Sequence, residues 1–214
     1  LFQESVVNIS TVDGVTEAKS FNYSDIKPVQ ILENLFVLPG NLNLHQIEII
    51  AGTGKENRLK KYLDEINQTY HFDFVIIDTP PTPSIWMVSA LLASDYYIIP
   101  VKPDPLSYTG IDLLQNIISR KKRDLDLNIK CIGIVLTIVE EGTIVFNKCM
   151  ETIGKNKLLK GLLYKKYLKK RTDIAKFQLN QQFILDQSKD DVKLSLTGIV
   201  QEMIKRIDDD EAKQ

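Results

Sequence analysis

The run Phe72-Asp73-Phe74-Val75-Ile76-Ile77-Asp78-Thr79-Pro80-Pro81 decides the fold that this sequence predicts. Residues 74–77 are aromatic or β-branched and apolar, which favours a buried strand that ends at Asp78. The prolines that follow have no backbone N–H to donate, so the strand is predicted to stop there. A carboxylate at this point fits two roles: an N-cap of the next helix, or a group that holds Mg²⁺ opposite nucleotide phosphates.

Apolar strands and amphipathic helices alternate along the chain on both sides of this run. Strands are predicted at Leu35–Leu38, Phe72–Asp78, Tyr96–Val101, Ile129–Val139 and Leu162–Leu168. Helices are predicted at Arg58–Tyr70, Ile85–Ala93, Ser107–Lys122, Thr143–Ile153 and Ser195–Ile207. Strands that are apolar throughout and alternate with helices are typical of a parallel sheet covered on both faces. The predicted fold class is therefore α/β, a three-layer open sandwich with a mainly parallel sheet.

Composition sets the class of protein. The chain has 214 residues, 43% of them hydrophobic, and a formal net charge of −1, so any contact with nucleic acid needs a local basic patch. We expect a single domain over residues 1–214, with 208–214 as an acidic flexible tail.

The two cysteines, Cys131 and Cys149, lack metal-ligand or redox spacing. Because there is no apolar run of membrane-spanning length and no signal peptide, the sequence predicts a cytoplasmic protein without a membrane partner.

Five ordered blocks of this sequence resemble the ParA/Soj/MinD family of deviant Walker-type P-loop ATPases. The blocks are residues 34–44, 58–63, 72–82, 89–110 and 133–137, and the resemblance extends over roughly residues 31–207. It implies the P-loop NTPase fold, with Asp78 as the Walker B carboxylate that organises Mg²⁺ and the attacking water. The nucleotide-binding residues that it implies are Thr79, Pro80, Pro81, Pro100, Asp104 and Thr137. Without the resemblance, Thr137 is an ordinary β-branched strand residue.

The phosphate-binding loop of that family, K-G-G-x-G-K-[ST], is absent from this sequence. Its glycines let backbone N–H groups surround the phosphates. The nearest run, residues 51–56, places Glu56 where Ser or Thr belongs, so it predicts a surface loop. Because the chain begins at Leu1 in loop-like sequence, we expect the phosphate loop to lie in an N-terminal segment missing from this chain. We therefore expect the chain alone to be inactive and not to bind ATP well.

Residues 155–176 form a basic segment with nine Lys or Arg residues and one acidic residue, Asp173. Such a segment suits non-specific binding of DNA phosphates, although a solvated lysine-rich face has the same composition. The predicted DNA-binding residues are Lys165, Lys166, Lys169, Lys170 and Arg171.

The function that the resemblance implies is that of a partition ATPase. ATP binding and hydrolysis with Mg²⁺ then control homodimerisation and non-specific DNA binding in the segregation of plasmid or chromosomal DNA. A ParB-like centromere-binding protein is the implied partner, and the protein is nucleoid-associated. One alternative is a membrane-cycling ATPase like MinD, but anionic lipid would repel the acidic residues 208–211. The other is a degenerate, non-enzymatic DNA- or protein-binding relative.

Overall fold

The computed structural model describes residues 26–40, 54–80, 82–104, 107–180, 182–187 and 190–213. The chain divides into two compact units. The first unit contains Leu1–Ala51 and Lys61–Phe74, and the second contains Gly52–Lys60 and Val75–Gln214. The sequence predicts one domain, so the boundary between Phe74 and Val75, inside the run that decided the predicted fold, is a feature that the sequence did not indicate.

A short antiparallel hairpin belongs to the first unit. Strand β1 (Val29–Leu32) pairs with β2 (Leu35–Val37), with Val29 opposite Val37 and Leu32 opposite Leu35. The side-chain amide of Gln30 donates to the carbonyl of Glu33 at 3.0 Å and supports the turn. The strand predicted at residues 35–38 is thus present, but its side chains are exposed or half-buried rather than buried.

Helix α1 (Arg58–Tyr70) has the predicted bounds, because apolar residues recur at helical spacing along it. A short 3-10 helix, Lys55–Asn57, precedes it. Tyr62 and Ile66 form its buried stripe, and the Tyr62 hydroxyl donates to the carbonyl of Ile26 at 3.3 Å. The helix ends where His71 takes a left-handed conformation, with φ of 51°.

Two parallel strands form the centre of the second unit. Strand β3 (Tyr96–Val101) pairs with β4 (Lys130–Leu136), and the register runs from Tyr96 opposite Lys130 to Val101 opposite Leu136. Helix α3 (Ser107–Asp124) connects the two strands. Parallel neighbouring strands need a long crossover connection, and α3 supplies it. The order strand, helix, strand is the one that the sequence predicts.

The hydrophobic core lies against these two strands. Ile134 is 0% exposed and is the most buried residue of the core. Helices α2 (Ile85–Leu92), α4 (Ile144–Lys155) and α5 (Lys157–Leu162) complete the set that packs on the strands. One cluster contains Ile99, Val101, Ile111, Ile134, Leu136, Val139, Cys149, Ile153 and Leu159, and the other contains Met87, Leu91, Ile118 and Ile129. Cys149 is therefore a packing residue.

The strand predicted at residues 162–168 is wrong. Helix α5 continues to Leu162, and residues 163–170, the bridging segment, form isolated parallel bridges, Leu163 with Ile134 of β4 and Lys169 with Val139 beyond β4. The Tyr164 ring packs over Gly133, where an added Cβ would lie 2.2 Å from the ring. This bridging segment nevertheless covers the outer edge of β4, since the N–H groups of Tyr164 and Leu168 donate to the carbonyls of Ile134 and Leu136 at 2.9 and 3.0 Å.

The C-terminal part of the chain is helical. Helices α6 (Thr172–Leu179) and α7 (Ile184–Gln187) precede the long helix α8 (Asp190–Glu211). Residues 208–211 therefore form its last turn, although the sequence predicts a flexible tail. An ion pair explains the difference, because Asp210 accepts from the ammonium of Lys130 at 2.7 Å and from the hydroxyl of Tyr96 at 3.0 Å.

Arg206 anchors helix α8 to β4 and α5 within the second unit, a role that sequence reasoning missed. Its guanidinium donates to the backbone carbonyls of Ile132, Leu162 and Leu163 at 3.0 to 3.1 Å. It also forms an ion pair with Glu202 at 2.7 Å. The guanidinium lies 4.4 Å from the centroid of the Tyr164 ring, which adds a cation–π contact. One side chain thus joins the C-terminal helix, the start of β4 and the end of α5.

The strand predicted at residues 72–78 is also wrong. Residues 71–80 form neither helix nor strand, and Phe74, Val75 and Ile76 are 53%, 51% and 86% exposed. A strand needs a hydrogen-bonded neighbour, because unpaired backbone groups in an apolar environment are costly. In the described ranges, β3 and β4 pair with each other, β1 pairs with β2, and no strand lies beside residues 72–78.

Candidate functional site

The loops that follow the two parallel strands lie at one edge of the sheet. The N–H of Thr137, directly after β4, donates to the carbonyl of Val101, at the end of β3, at 2.8 Å. Pro100 is exposed, and Asp104 and Thr137 are half-buried. Three of the predicted nucleotide-binding residues therefore belong to the carboxyl edge of the parallel pair, which is where ligands bind in open α/β sheets.

The loop after β4 has an unusual backbone. Ile138 has φ of 54°, a left-handed conformation that costs a β-branched residue about 1–3 kcal/mol. The next residue, Val139, holds the loop in place: its N–H donates to the carbonyl of Leu168 at 3.0 Å, and its carbonyl accepts from the N–H of Lys170 at 2.9 Å. The loop from residue 137 to 143 is therefore tied to the bridging segment by backbone hydrogen bonds.

Asp78 is not at the end of a strand in this structure. It lies in the irregular residues 71–80, and Asp78, Thr79 and Pro80 are exposed. Pro81 lies outside the described residues. The physical reason is the one that applies to the whole predicted strand: without a ladder partner, nothing fixes this carboxylate at the sheet edge. The catalytic and metal-binding roles predicted for Asp78 therefore stay predictions.

A magnesium site needs several oxygen ligands. Across the described ranges, no group of three or more His, Cys, Asp or Glu side chains could hold a metal ion. The described carboxylates as they are arranged here do not fit a metal site made by protein side chains alone.

Lys165 and Lys166 are the most open of the predicted DNA-binding residues. Both side chains are exposed. The backbone N–H of Lys165 donates to the Glu202 carboxylate at 2.9 Å, which fixes the backbone and leaves the position of the ammonium unaffected. The methylene stem of Lys166 lies against Gly198 of helix α8. The side chains of these two lysines are therefore exposed, while contacts with helix α8 fix their backbone.

The other three predicted DNA-binding residues are paired with acids. Lys169 contacts Glu141 at 2.6 Å, and Lys170 contacts Glu140 at 2.7 Å. Arg171 contacts Asp191 at 2.8 Å. Sequence reasoning missed these acidic partners, because they lie about thirty or twenty residues away along the chain. The available signal was the Glu140-Glu141 pair directly after an apolar strand.

The contacts with the lysines lower the pKa of their acidic partners Glu140 and Glu141. The hydrogen bond from Lys169 is the main cause that lowers the pKa of the Glu141 carboxyl, and a hydrogen bond from the Tyr167 hydroxyl adds to it. The hydrogen bond from Lys170 lowers the pKa of Glu140, and the cation of Lys102 contributes. The bond to Glu141 in turn raises the pKa of Lys169. The lowered pKa of both carboxyls favours their charged forms, which is consistent with ion pairing.

A family model described as an AAA domain matches residues 3–131, which is more than half of the chain. The protein named "Sporulation initiation inhibitor protein Soj" from Bacillus subtilis strain 168 is 31% identical over 133 residues, which cover 61% of this chain and 52% of that protein. The chain belongs to the ParA/Soj family of P-loop ATPases. The predicted resemblance is thus confirmed. This ParA/Soj chain spans about half the length of the curated relatives that it matches.

Solved structures show the same fold. A plasmid partition protein from Borrelia burgdorferi has a TM-score of 0.63 at 19% identity, with 87% of this ParA/Soj chain and 75% of that chain covered. The pNOB8 ParA structure bound to nonspecific DNA has a TM-score of 0.54 at 21% identity, with 82% and 67% covered. At these identities the likeness shows the fold, and it confirms the predicted α/β P-loop NTPase class. Of the helices that the structure describes, none combines the length and the apolarity that a membrane span requires.

Proposed function

We propose that this chain is part of a partition ATPase, in which ATP binding and hydrolysis control homodimerisation and non-specific DNA binding during the segregation of plasmid or chromosomal DNA. The observation that carries the proposal is the carboxyl edge of β3 and β4. In a ParA/Soj family member, this edge presents Pro100, Asp104 and Thr137, residue types that the family's motifs place near the nucleotide.

ATP with Mg²⁺ is the proposed nucleotide. Thr79, Pro80 and Pro81 are the residues proposed to contact its phosphates, and Pro100, Asp104 and Thr137 are those proposed to contact it at the sheet edge. If Mg²⁺ binds with the nucleotide, Asp78 is the carboxylate that would help to hold it, and the ion would neutralise phosphate charge. The chemistry is phosphoryl transfer to water, which depends mostly on positioning and charge neutralisation.

Non-specific DNA is the proposed polymer partner. Lys165 and Lys166 supply exposed cations for phosphate contacts, and Lys169, Lys170 and Arg171 supply cations that are paired with acids in this structure. The pNOB8 ParA complex with nonspecific DNA, a protein of the same fold, supports this assignment. A ParB-like centromere-binding protein completes the proposed cycle, which takes place at the nucleoid in the cytoplasm.

The alternative of a MinD-like membrane cycle has less support. It calls for a basic amphipathic C-terminal helix, whereas Asp208, Asp209 and Glu211 are exposed in the last turn of α8. A non-enzymatic DNA-binding relative differs from a partition ATPase in ATP hydrolysis, so the experiment below separates the two.

The test compares two carboxylates of the same run in the gene product that contains this sequence. Asp78→Asn is expected to lower the kcat of ATP hydrolysis roughly 100-fold, because it removes a charge next to the reacting phosphate. Asp73→Asn is the matched control: Asp73 is also exposed, five residues earlier, and its substitution is expected to leave kcat within about twofold. Equal effects of the two substitutions would refute the role of Asp78. An unsubstituted protein that binds DNA but hydrolyses no ATP would favour the non-enzymatic relative.

A further inference from the structure

Two consecutive acids hold two consecutive lysines across the loop that follows β4. The ammonium of Lys169 lies 2.6 Å from a carboxylate oxygen of Glu141, and that of Lys170 lies 2.7 Å from Glu140. The Tyr167 hydroxyl donates to Glu141 as well. The four charged side chains are 42% to 57% exposed, so water and solutes reach both pairs.

These ion pairs are too exposed to matter much for folding. Pairs between solvent-exposed charges contribute little to stability, because screening and side-chain entropy offset most of the attraction. Their effect on binding is different. A carboxylate oxygen occupies the place on the ammonium that a phosphate oxygen of DNA would take. While a protein acid neutralises a lysine, that lysine does not neutralise a phosphate and releases no counterion from the DNA.

The backbone keeps the acids opposite the lysines. Val139, directly before Glu140, exchanges backbone hydrogen bonds with Leu168 and Lys170, as described above. The backbone thus keeps the two acidic positions opposite the two lysine positions.

We propose that Glu140 and Glu141 form an acidic mask, an internal counter-anion that competes with DNA phosphates for Lys169 and Lys170 and thereby limits the affinity for DNA. The inference rests on the DNA binding in the proposed function, and it adds the element that regulates it. Lys165 and Lys166 lie outside the mask and provide the unregulated part of the contact.

The experiment measures binding of a short labelled duplex of random sequence by fluorescence anisotropy, with the gene product in ATP and Mg²⁺. Glu140→Gln with Glu141→Gln is expected to raise the affinity roughly tenfold at about 0.1 M salt. The slope of log K against log salt should become steeper by about 2, because each added phosphate contact contributes about 0.9. Unchanged thermal unfolding midpoints would show that the variants fold.

The matched control removes two other exposed acids. Glu151→Gln with Asp209→Asn changes the net charge by the same amount, and Glu151 also pairs with a lysine, Lys155, at 2.6 Å. Its expected affinity is within about twofold of the unsubstituted protein, since a net charge change alone acts weakly at this salt concentration. An acidic-mask variant that binds DNA no better than this control would overturn the inference.

Lysine substitutions complete the cycle. Lys169→Gln with Lys170→Gln is expected to change affinity little in the unsubstituted background, where the acids already neutralise both lysines. In the Glu140→Gln, Glu141→Gln background the same change should cancel the tenfold gain. An equal loss in the two backgrounds would contradict the mask while leaving DNA binding intact. If no variant binds DNA in a salt-dependent way, the DNA-binding part of the proposed function fails and the inference fails with it.

Discussion

The segments Tyr96–Val101 and Phe74–Asp78 carry the same kind of sequence and have different structures. Both are short apolar runs that end close to prolines, and both are predicted strands. The first is β3, paired along its whole length with β4, with Ile99 and Val101 in the core. The second is irregular, and its central residue Ile76 is 86% exposed. A run of apolar residues is therefore compatible with a buried strand but does not produce one.

Pairing explains the difference. Strand β4 has β3 on one side, and on the other the bridging segment of residues 163–170 donates hydrogen bonds to the carbonyls of Ile134 and Leu136. Residues 74–78 have no such neighbour in the part of the chain that the structure describes. Hydrophobic burial and hydrogen bonding have to be satisfied together, and the second depends on residues that are distant in sequence.

The largest expected effect comes from truncating the same residue type in the two segments. Ile134→Ala in β4 removes a side chain that is 0% exposed and should lower the free energy of unfolding by about 4 kcal/mol. Ile76→Ala should change it by less than about 0.5 kcal/mol, because its side chain is largely in water. Urea unfolding followed by Trp86 fluorescence measures both, since the single tryptophan belongs to the second unit.

The comparison fails if both substitutions cost several kcal/mol. Such a result would mean that residues 74–78 are buried in solution and form the strand that the sequence predicts. Ile99→Val, with one methyl group fewer in β3, gives a graded check and should cost about 1 kcal/mol.

Most elements of the fold were predictable because they depend on local patterns. Helix α1 and strand β3 have their predicted bounds, and α2 and α3 differ from the prediction only by one or two residues at their C-terminal ends. Periodicity and proline positions are contained in the sequence itself. The two wrong strands, at residues 72–78 and 162–168, failed because a strand is defined by its partner. A ring over Gly133 and a missing ladder neighbour cannot be read from either segment alone.

The position of the candidate site at the sheet edge was predictable from the sequence, whereas the ion pairs of its basic residues were not. Pro100, Asp104 and Thr137 belong to the predicted edge because parallel strands end together. The basic segment was identified by counting charges along the chain, and counting takes no account of partners from other segments. Glu140, Glu141 and Asp191 neutralise three of the five predicted DNA-binding residues.

A second, smaller loss of stability is expected from Arg206→Gln, which tests whether Arg206 holds the bridging segment on the outer edge of β4. Arg206→Gln removes the hydrogen bonds to the carbonyls of Ile132, Leu162 and Leu163 and leaves Glu202 without its ion-pair partner. The expected loss is about 3 kcal/mol in the free energy of unfolding, because several partly buried polar groups lose their partner at once. The measurement is the same urea titration.

The control for Arg206 is a second arginine with an exposed side chain. Arg123→Gln, in the last turn of α3, makes the same chemical change and should stay within about 0.5 kcal/mol of the unsubstituted protein. If the two variants are equally stable, Arg206 does not contribute to holding the bridging segment against the outer edge of β4.

The smallest effect concerns the first residue of β3. Burial is the main cause that raises the pKa of Tyr96 to about 12, and the hydrogen bond to Asp210 adds to it. Because the folded pKa lies above the usual value of 10, the associated stabilisation is complete below pH 10 and is lost as the pH rises from 10 to about 12. Phenolate absorbance, as the difference between the unsubstituted protein and Tyr96→Phe, isolates this residue among the eight tyrosines. Asp210→Asn should lower the pKa of Tyr96, whereas Asp208→Asn, in the same exposed turn, should leave it unchanged. A Tyr96 that titrates near 10 in the unsubstituted protein would show that the last turn of α8 and Asp210 do not pack against the first residue of β3.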